Sequence, residues 1–250
     1  MRTLLITQAR FGSTRLPGKI LLKIKGDELL KIHLLRLSKS KLIDKILVAT
    51  TTNPNDKVVF DIVNNWGFSV SRGSENDVLD RYYQIAKVYN PEWIIRVTSD
   101  CPLLDPNMID AVISYAIVNN KDYCSNMLIE NYPDGQDVEV FKFSALEKAW
   151  KEALIKSDRE HVTPYIRNNS DLKGGELFTA INFPAQLNFS DIRMTVDEQK
   201  DFELIEKLIL DLGTERSWLE YTNYIIENKL TLLNGHIIRN DGYLKSLKND

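Results

Sequence analysis

The sequence predicts an α/β protein: a mostly parallel sheet with helices on both faces and a small antiparallel insertion roofing one edge. Two observations carry this. Apolar runs of strand length, such as those at 4–9 and 93–98, alternate with stretches of helical periodicity, the order that puts parallel strands in one sheet between helices. From Tyr132 the texture changes to short alternating stretches and irregular loops, as expected of an insertion above the carboxyl edge of the sheet. A chain of 250 residues has room for a sizeable core, and no internal repeat or low-complexity linker divides it. A single domain over 1–250 is expected, with the roof at about 132–190 and a helical tail at about 214–250.

In order along the chain, the first strand ends at Ala9 and a loop runs to Lys19. Leu29, Leu30, Ile32, Leu34, Leu35 and Leu37 mark a helix, and 45–50 is a buried strand entering a polar loop. A helix follows at 58–66, stopped by Gly67, then a short strand at 68–70, a helix at 78–89, a strand at 93–98, a helix at 107–118 and a strand at 123–126. In the roof, 138–141 alternates, 143–153 is helical and an antiparallel element is expected at about 176–190. Residues 193–197 are expected to return to the core sheet, and helices at 202–212 and 219–226 follow. Trp218, Tyr221 and Tyr224 fit either an exposed aromatic patch or a core stripe.

Composition narrows the function. A formal charge of −3 and a pI near 5.7 give no general electrostatic reason to bind nucleic acid or an anionic membrane, so any positive potential must be local. Cys101 and Cys124 stand far apart without metal-ligand spacing and read as small buried hydrophobes. The chain opens on a strand-like run without the pattern of a signal peptide, and no apolar run reaches the ~18 residues of a membrane span. A cytoplasmic protein without membrane contact is expected.

The most informative stretch is the loop after the first strand, Gln8-Ala9-Arg10-Phe11-Gly12-Ser13-Thr14-Arg15-Leu16-Pro17-Gly18-Lys19. Glycines let backbone approach a ligand, hydroxyls and amides donate to phosphate oxygens, and Arg10, Arg15 and Lys19 supply countercharge. Its position beyond the carboxyl end of a strand is where α/β folds hold ligands. Ile20 follows Lys19 where a P-loop needs Ser or Thr, and no G-x-G-x-x-G occurs. This is a polyanion cradle of another kind.

Two aspartates end apolar runs. Asp100, before Cys101-Pro102, fits an oxygen ligand for a hard divalent cation and fits a turn aspartate equally. Asp197, after Arg193-Met194-Thr195-Val196, fits the same ligand role and also a helix N-cap. In Arg72-Gly73-Ser74-Glu75-Asn76-Asp77-Val78, Ser74 is placed to cap the next helix with Asp77 at its third position. Only His33, His161 and His236 are present, and no Ser-His-Asp or Cys-His pattern suggests a covalent intermediate.

The dodecamer Q-A-R-F-G-S-T-R-L-P-G-K resembles the N-terminal signature of the cytidylyltransferases that activate sugar acids, such as the CMP-Kdo and CMP-acylneuraminate synthetases. It is most similar to their branch named after spore coat polysaccharide biosynthesis protein F. The resemblance extends to R-G-S-E-N-D-V-L-D-R-Y at 72–82, to R-V-T-S-D-C-P at 96–102, to Y-P-D-G-Q-D-V-E-V at 132–140, to R-E-H-V-T-P-Y at 159–165 and to V-D at 196–197. It implies a Rossmann-like nucleotide-diphospho-sugar transferase fold and CMP transfer from CTP to a sugar or sugar acid for surface glycan synthesis. It further implies a nucleotide site at Ala9, Arg10, Gly12, Ser13, Arg15, Lys19, Arg72 and Ser74, with Lys19, Arg10, Arg15 and Asp100 catalytic. Mg²⁺ would be held by Asp100 and Asp197. The CMP-Kdo synthetases carry Glu after the first acid where this chain has Cys101, which removes a third nearby carboxylate.

For the acceptor, the resemblance and the concentration of acids point to Asp80, Arg81, Asp134, Gln136, Asp137, Glu139 and His161, because carboxylates accept paired hydrogen bonds from diols. His161 fits packing as readily as contact with substrate. A homodimer joined through the roof is implied, as in relatives. Two alternatives remain: a sugar-1-phosphate nucleotidyltransferase using another nucleotide, and a non-catalytic nucleotide-binding scaffold of glycan assembly.

Overall fold

The computed structural model describes residues 2–13 and 15–250, so Thr14 of the cradle lies outside the described residues. The chain runs β1 (Thr3–Gln8), β2 (Lys23–Ile24), β3 (Asp27–Glu28), α1 (Leu29–Leu37), β4 (Lys45–Thr51), α2 (Lys57–Asn65), β5 (Ser69–Gly73), α3 (Val78–Tyr89), β6 (Trp93–Thr98), α4 (Pro106–Asn119), β7 (Tyr123–Ser125) and β8 (Glu139–Lys142). It continues through α5 (Phe143–Glu152), α6 (Lys156–His161), α7 (Pro164–Asn168), β9 (Ala180–Asn182), α8 (Gln199–Leu212), α9 (Trp218–Glu227), α10 (Thr231–Asn234) and α11 (Asp241–Ser246).

The main sheet has the order β5-β4-β1-β6-β8-β7-β9. β1 pairs in parallel with β4 and β6, and β4 with β5, whereas β8 is antiparallel to both β6 and β7. β8 is therefore the one reversed strand of this sheet among the described residues. Alternate side chains of β1 explain its central place. Leu5 packs with α1, α2 and α4 on one face, and Leu4 and Ile6 pack with α3 and α5 on the other. Each such fully buried side chain contributes roughly 1.5–3 kcal/mol, so the strand is held from both sides and its carboxyl end is a rigid mount.

A third cluster joins Leu29 and Ile32 of α1 to Ile192, Met194, Val196, α8 and α9. Tyr221 is fully buried there and Tyr224 is packed against it, so this aromatic set is a core stripe. Among the described residues no helix is long and apolar enough to cross a membrane.

The structure corrects two expectations. The segment at 176–190 forms only β9, which pairs in parallel with β7. Residues 193–197 do not rejoin the sheet; Arg193 makes an isolated bridge to Asp134, and Val196 N donates to Asp100 O at 2.8 Å. Alternating Ile192, Met194 and Val196 bury into the third cluster, so the period-2 pattern of a strand arises without a strand partner.

Candidate active site

A cleft of about 920 Å³ opens at the carboxyl ends of β1 and β6, under the roof. One wall is the cradle. Phe11 N donates to Asp56 Oδ1 at 2.6 Å, and buried Asp56 also accepts from Thr51, which ties the loop to the end of β4. Gly18 adopts a φ of +68° and a Cβ there would stand 3.2 Å from the Phe11 ring, so the turn over that ring favours glycine. Ala9, Arg10, Gly12, Ser13, Arg15 and Lys19 all line the cleft. The side chain of Arg10 is exposed and makes no hydrogen bond or ion pair among the described residues.

Lys19 organises the floor. Its Nζ donates to Asp100 Oδ2 and Asp197 Oδ1 at 2.8 Å each and to Val196 O at 2.7 Å. Burial alone would lower its pKa, but the two carboxylates hold the ammonium above its usual value. Burial would likewise raise Asp100, and Lys19 outweighs it, holding that carboxyl well below the usual range. Asp197 also receives Arg15 at 3.0 Å and Arg193 at 2.9 Å. Arg193 is itself shared with Asp134 and Asp201. Asp100, beyond the end of β6, and Asp197 thus converge on Lys19 of the cradle.

Among the described residues no cluster of three or more His, Cys, Asp or Glu side chains could hold a metal ion. Two convergent carboxylates with a cation already between them nevertheless suit Mg²⁺, which commonly takes one or two carboxylates and completes its shell with water and phosphate oxygens. Asp197 is not the cap of α8: Glu198 caps it in a reciprocal box with Asp201.

Several expected site residues serve the scaffold instead. Arg72 donates to Thr51 O and Asn53 O at 2.8 and 2.9 Å, and Ser74 accepts from Asp77 N; neither lines the cleft. The cap of α3 is Asp77, which accepts from Asp80 N at 2.9 Å. Asp80 points to Gln84 and Trp150 Nε1, away from the cleft. Gln136 is fully buried, accepting from Asp105 N and donating to Leu103 O. A buried amide with both ends paired is a brace between loops, which a glutamine among acids in a turn sequence does not disclose.

Arg81, Asp134, Asp137, Glu139 and His161 do line the cleft. Arg81 is only 4% exposed, and its Nε and Nη1 have no partner among the described residues. Its aliphatic stem lies where a Cβ on Gly73 would come within 2.7 Å. The three acids are each engaged: Asp134 by Arg193, Asp137 by Arg239 at 2.6 Å, and Glu139 by Arg96, Tyr123 and Thr163. Burial raises the Asp137 carboxyl to about 7 despite Arg239. Burial and then Arg96 and Arg167 lower His161 to about 4, leaving its ring neutral, with Nε2 3.0 Å from Ser246 Oγ.

The sequence reading left out Arg96, Arg167, Arg193, Arg239 and the residues from Asn240 to Ser246, all of them in or beside this cleft. Arg96 carried a signal: a base inside an apolar strand must find an acid. The tail carried none.

A family model described as cytidylyltransferase matches residues 4–238. An uncharacterized protein of Methanocaldococcus jannaschii is 45% identical over 208 residues, 83% of each chain. The spore coat polysaccharide biosynthesis protein SpsF of Bacillus subtilis is 35% identical over 215 residues, 84% of this chain and 87% of that one. The solved structure of a cytidylyltransferase from Leptospira borgpetersenii serovar Hardjo-bovis superposes with a TM-score of 0.87 at 33% identity, covering 96% of this chain and all of that one. A Rossmann-like sheet with a cationic loop facing Asp100 and Asp197, matched over nearly its whole length, belongs to a nucleotidyltransferase: this chain is a member of the cytidylyltransferase family.

Proposed function

We propose that this protein transfers CMP from CTP to a hydroxyl of a sugar or sugar acid in the presence of Mg²⁺, releasing pyrophosphate and supplying a CMP-linked sugar for surface glycan synthesis. The observation that supports it most is the meeting of Lys19, Asp100 and Asp197 beneath the cradle. In the proposed reaction the acceptor oxygen forms a bond to the α-phosphorus, the bond from that phosphorus to the bridging oxygen breaks, and the hydroxyl proton leaves to water. Mg²⁺, when bound, neutralises phosphate charge. Asp100 and Asp197 would hold it, Arg10, Arg15 and Lys19 would bind the departing pyrophosphate, and Ala9, Gly12 and Ser13 would line the triphosphate path. Arg81, buried with unpaired nitrogens, would face the nucleoside or the acceptor.

The acceptor half favours an anionic sugar. Arg96 and Arg167 each line the cleft with a buried Nε that has no partner among the described residues. A sugar carboxylate or phosphate would satisfy them, which also keeps a sugar-1-phosphate acceptor in view. The reading carries with it a homodimer working in the cytoplasm, where CTP is made.

The test is pyrophosphate release from purified protein with Mg²⁺ and each of the four nucleoside triphosphates, across ulosonic acids, aldoses and sugar phosphates. Turnover with CTP and an anionic sugar is expected. Turnover with UTP or GTP alone overturns the cytidylyl assignment, and saturable CTP binding without turnover on any acceptor favours the scaffold.

A further inference from the structure

The C-terminal segment lies across the cleft, beyond the residues that the family model matches. Arg239 anchors its near end to Asp137 at 2.6 Å and Tyr132 O at 3.0 Å, and at its far end Asp250 accepts from Ser157 N at 2.8 Å. Between these anchors α11 buries none of its residues. Asp241, Tyr243 and Ser246 are half-buried and the rest exposed, and a helix with so little buried surface sits at the low end of local stability. What seats it is contact with the site itself. Tyr243 meets the His161 ring edge-on at 5.0 Å and lies beneath the Arg167 guanidinium at 5.6 Å. Asp241 stands 3.6 Å from the Arg15 guanidinium, whose other arm holds Asp197.

We propose that segment 239–246 is a lid: it forms the outer wall of the acceptor pocket, and it is released from the phosphate loop when a triphosphate takes Arg15 from Asp241. This rests on the nucleotide reading above. A carboxylate and a phosphate oxygen compete for the same guanidinium, and the phosphate brings the greater charge. Because the residues of α11 are at most half-buried, loss of the Arg15 contact loosens its first turn. Nucleotide therefore binds before acceptor, and the acceptor pocket takes its final shape with the triphosphate in place.

The test compares full-length wild type with Asp241→Asn, which keeps shape and removes charge. CTP affinity with Mg²⁺ is measured by calorimetry, and amide exchange is followed across 240–246. CTP is expected to speed exchange there at least fivefold in the wild type. Asp241→Asn should exchange fast before any addition and bind CTP about 3- to 10-fold tighter. If CTP binds but leaves exchange unchanged and both proteins have equal affinity, the lid is overturned and the nucleotide site stands. If neither protein binds CTP, the nucleotide reading falls and the lid falls with it.

Discussion

The cradle side of the cleft, proposed to take phosphate, and the roof side, proposed to take the acceptor, are built from opposite materials. The phosphate side is backbone loop mounted on strand ends, with Arg10 unpaired among the described residues and Lys19 and Arg15 resting on acids that a metal or phosphate can relieve. The acceptor side is a buried ionic lattice, in which Glu139 satisfies Arg96, Tyr123 and Thr163 at once and Arg193 gathers three aspartates. The first is arranged to exchange its partners and the second to keep them. Loss of a side chain on the phosphate side should therefore be read in catalysis, and loss on the acceptor side in folding.

The largest effect expected is catalytic. Asp100→Asn or Lys19→Met should reduce CTP-dependent pyrophosphate release by about 10³-fold, on the order of 4 kcal/mol of barrier, with a melting temperature near that of the wild type. A rate within tenfold of wild type would dissolve the contrast. Next comes Arg96→Met. It leaves Glu139 charged and buried without its main partner and should lower unfolding free energy by ~3–5 kcal/mol in denaturant titration.

Gly135→Ala should be smaller but clear. Gly135 has a φ of +100° and a Cβ there would meet the Met194 backbone at 2.6 Å. About 2 kcal/mol or more of stability should be lost, with the site acids displaced. Asp80→Asn, expected from sequence to touch the acceptor, should change the rate by less than about twofold, since the side chain points away from the cleft and Asn keeps an oxygen for Trp150 Nε1.

A pH series sharpens the same contrast. His161 is held neutral to about 4, chiefly by burial and then by Arg96 and Arg167. Its folded pKa lies below the ordinary value, so the group favours the folded state above about 6.5 and that contribution is lost as pH falls from there towards 4. His161→Gln should flatten the stability curve in this window, measured by thermal melts at successive pH values, and leave the curve above pH 7 parallel to that of the wild type.

Much of the phosphate side was legible because its signals are local. α3 and β6 fall where periodicity placed them, and Lys19 of the cradle contacts both Asp100 and Asp197. The acceptor side was less so. The resemblance put Asp134 and Gln136 at the acceptor, yet Gln136 is a buried brace and Asp134 a buried ion-pair partner. The resemblance put Arg72 at the nucleotide, whereas its Nε and Nη2 donate to two backbone carbonyls and it does not line the cleft.

By itself the sequence determined the main strands and helices as far as β7 and the cationic composition of the cradle, because periodicity, turn residues and charge act over a few positions. Only the tertiary structure decided that Lys19 joins acids 81 and 178 residues away, that β8 runs backwards and that α11 lies along the cleft. The chain offers 35 acidic and 32 basic side chains, and which of them pair depends on which arrive together once the sheet has closed. Pairing over such distances is a property of the fold, and no local pattern encodes it.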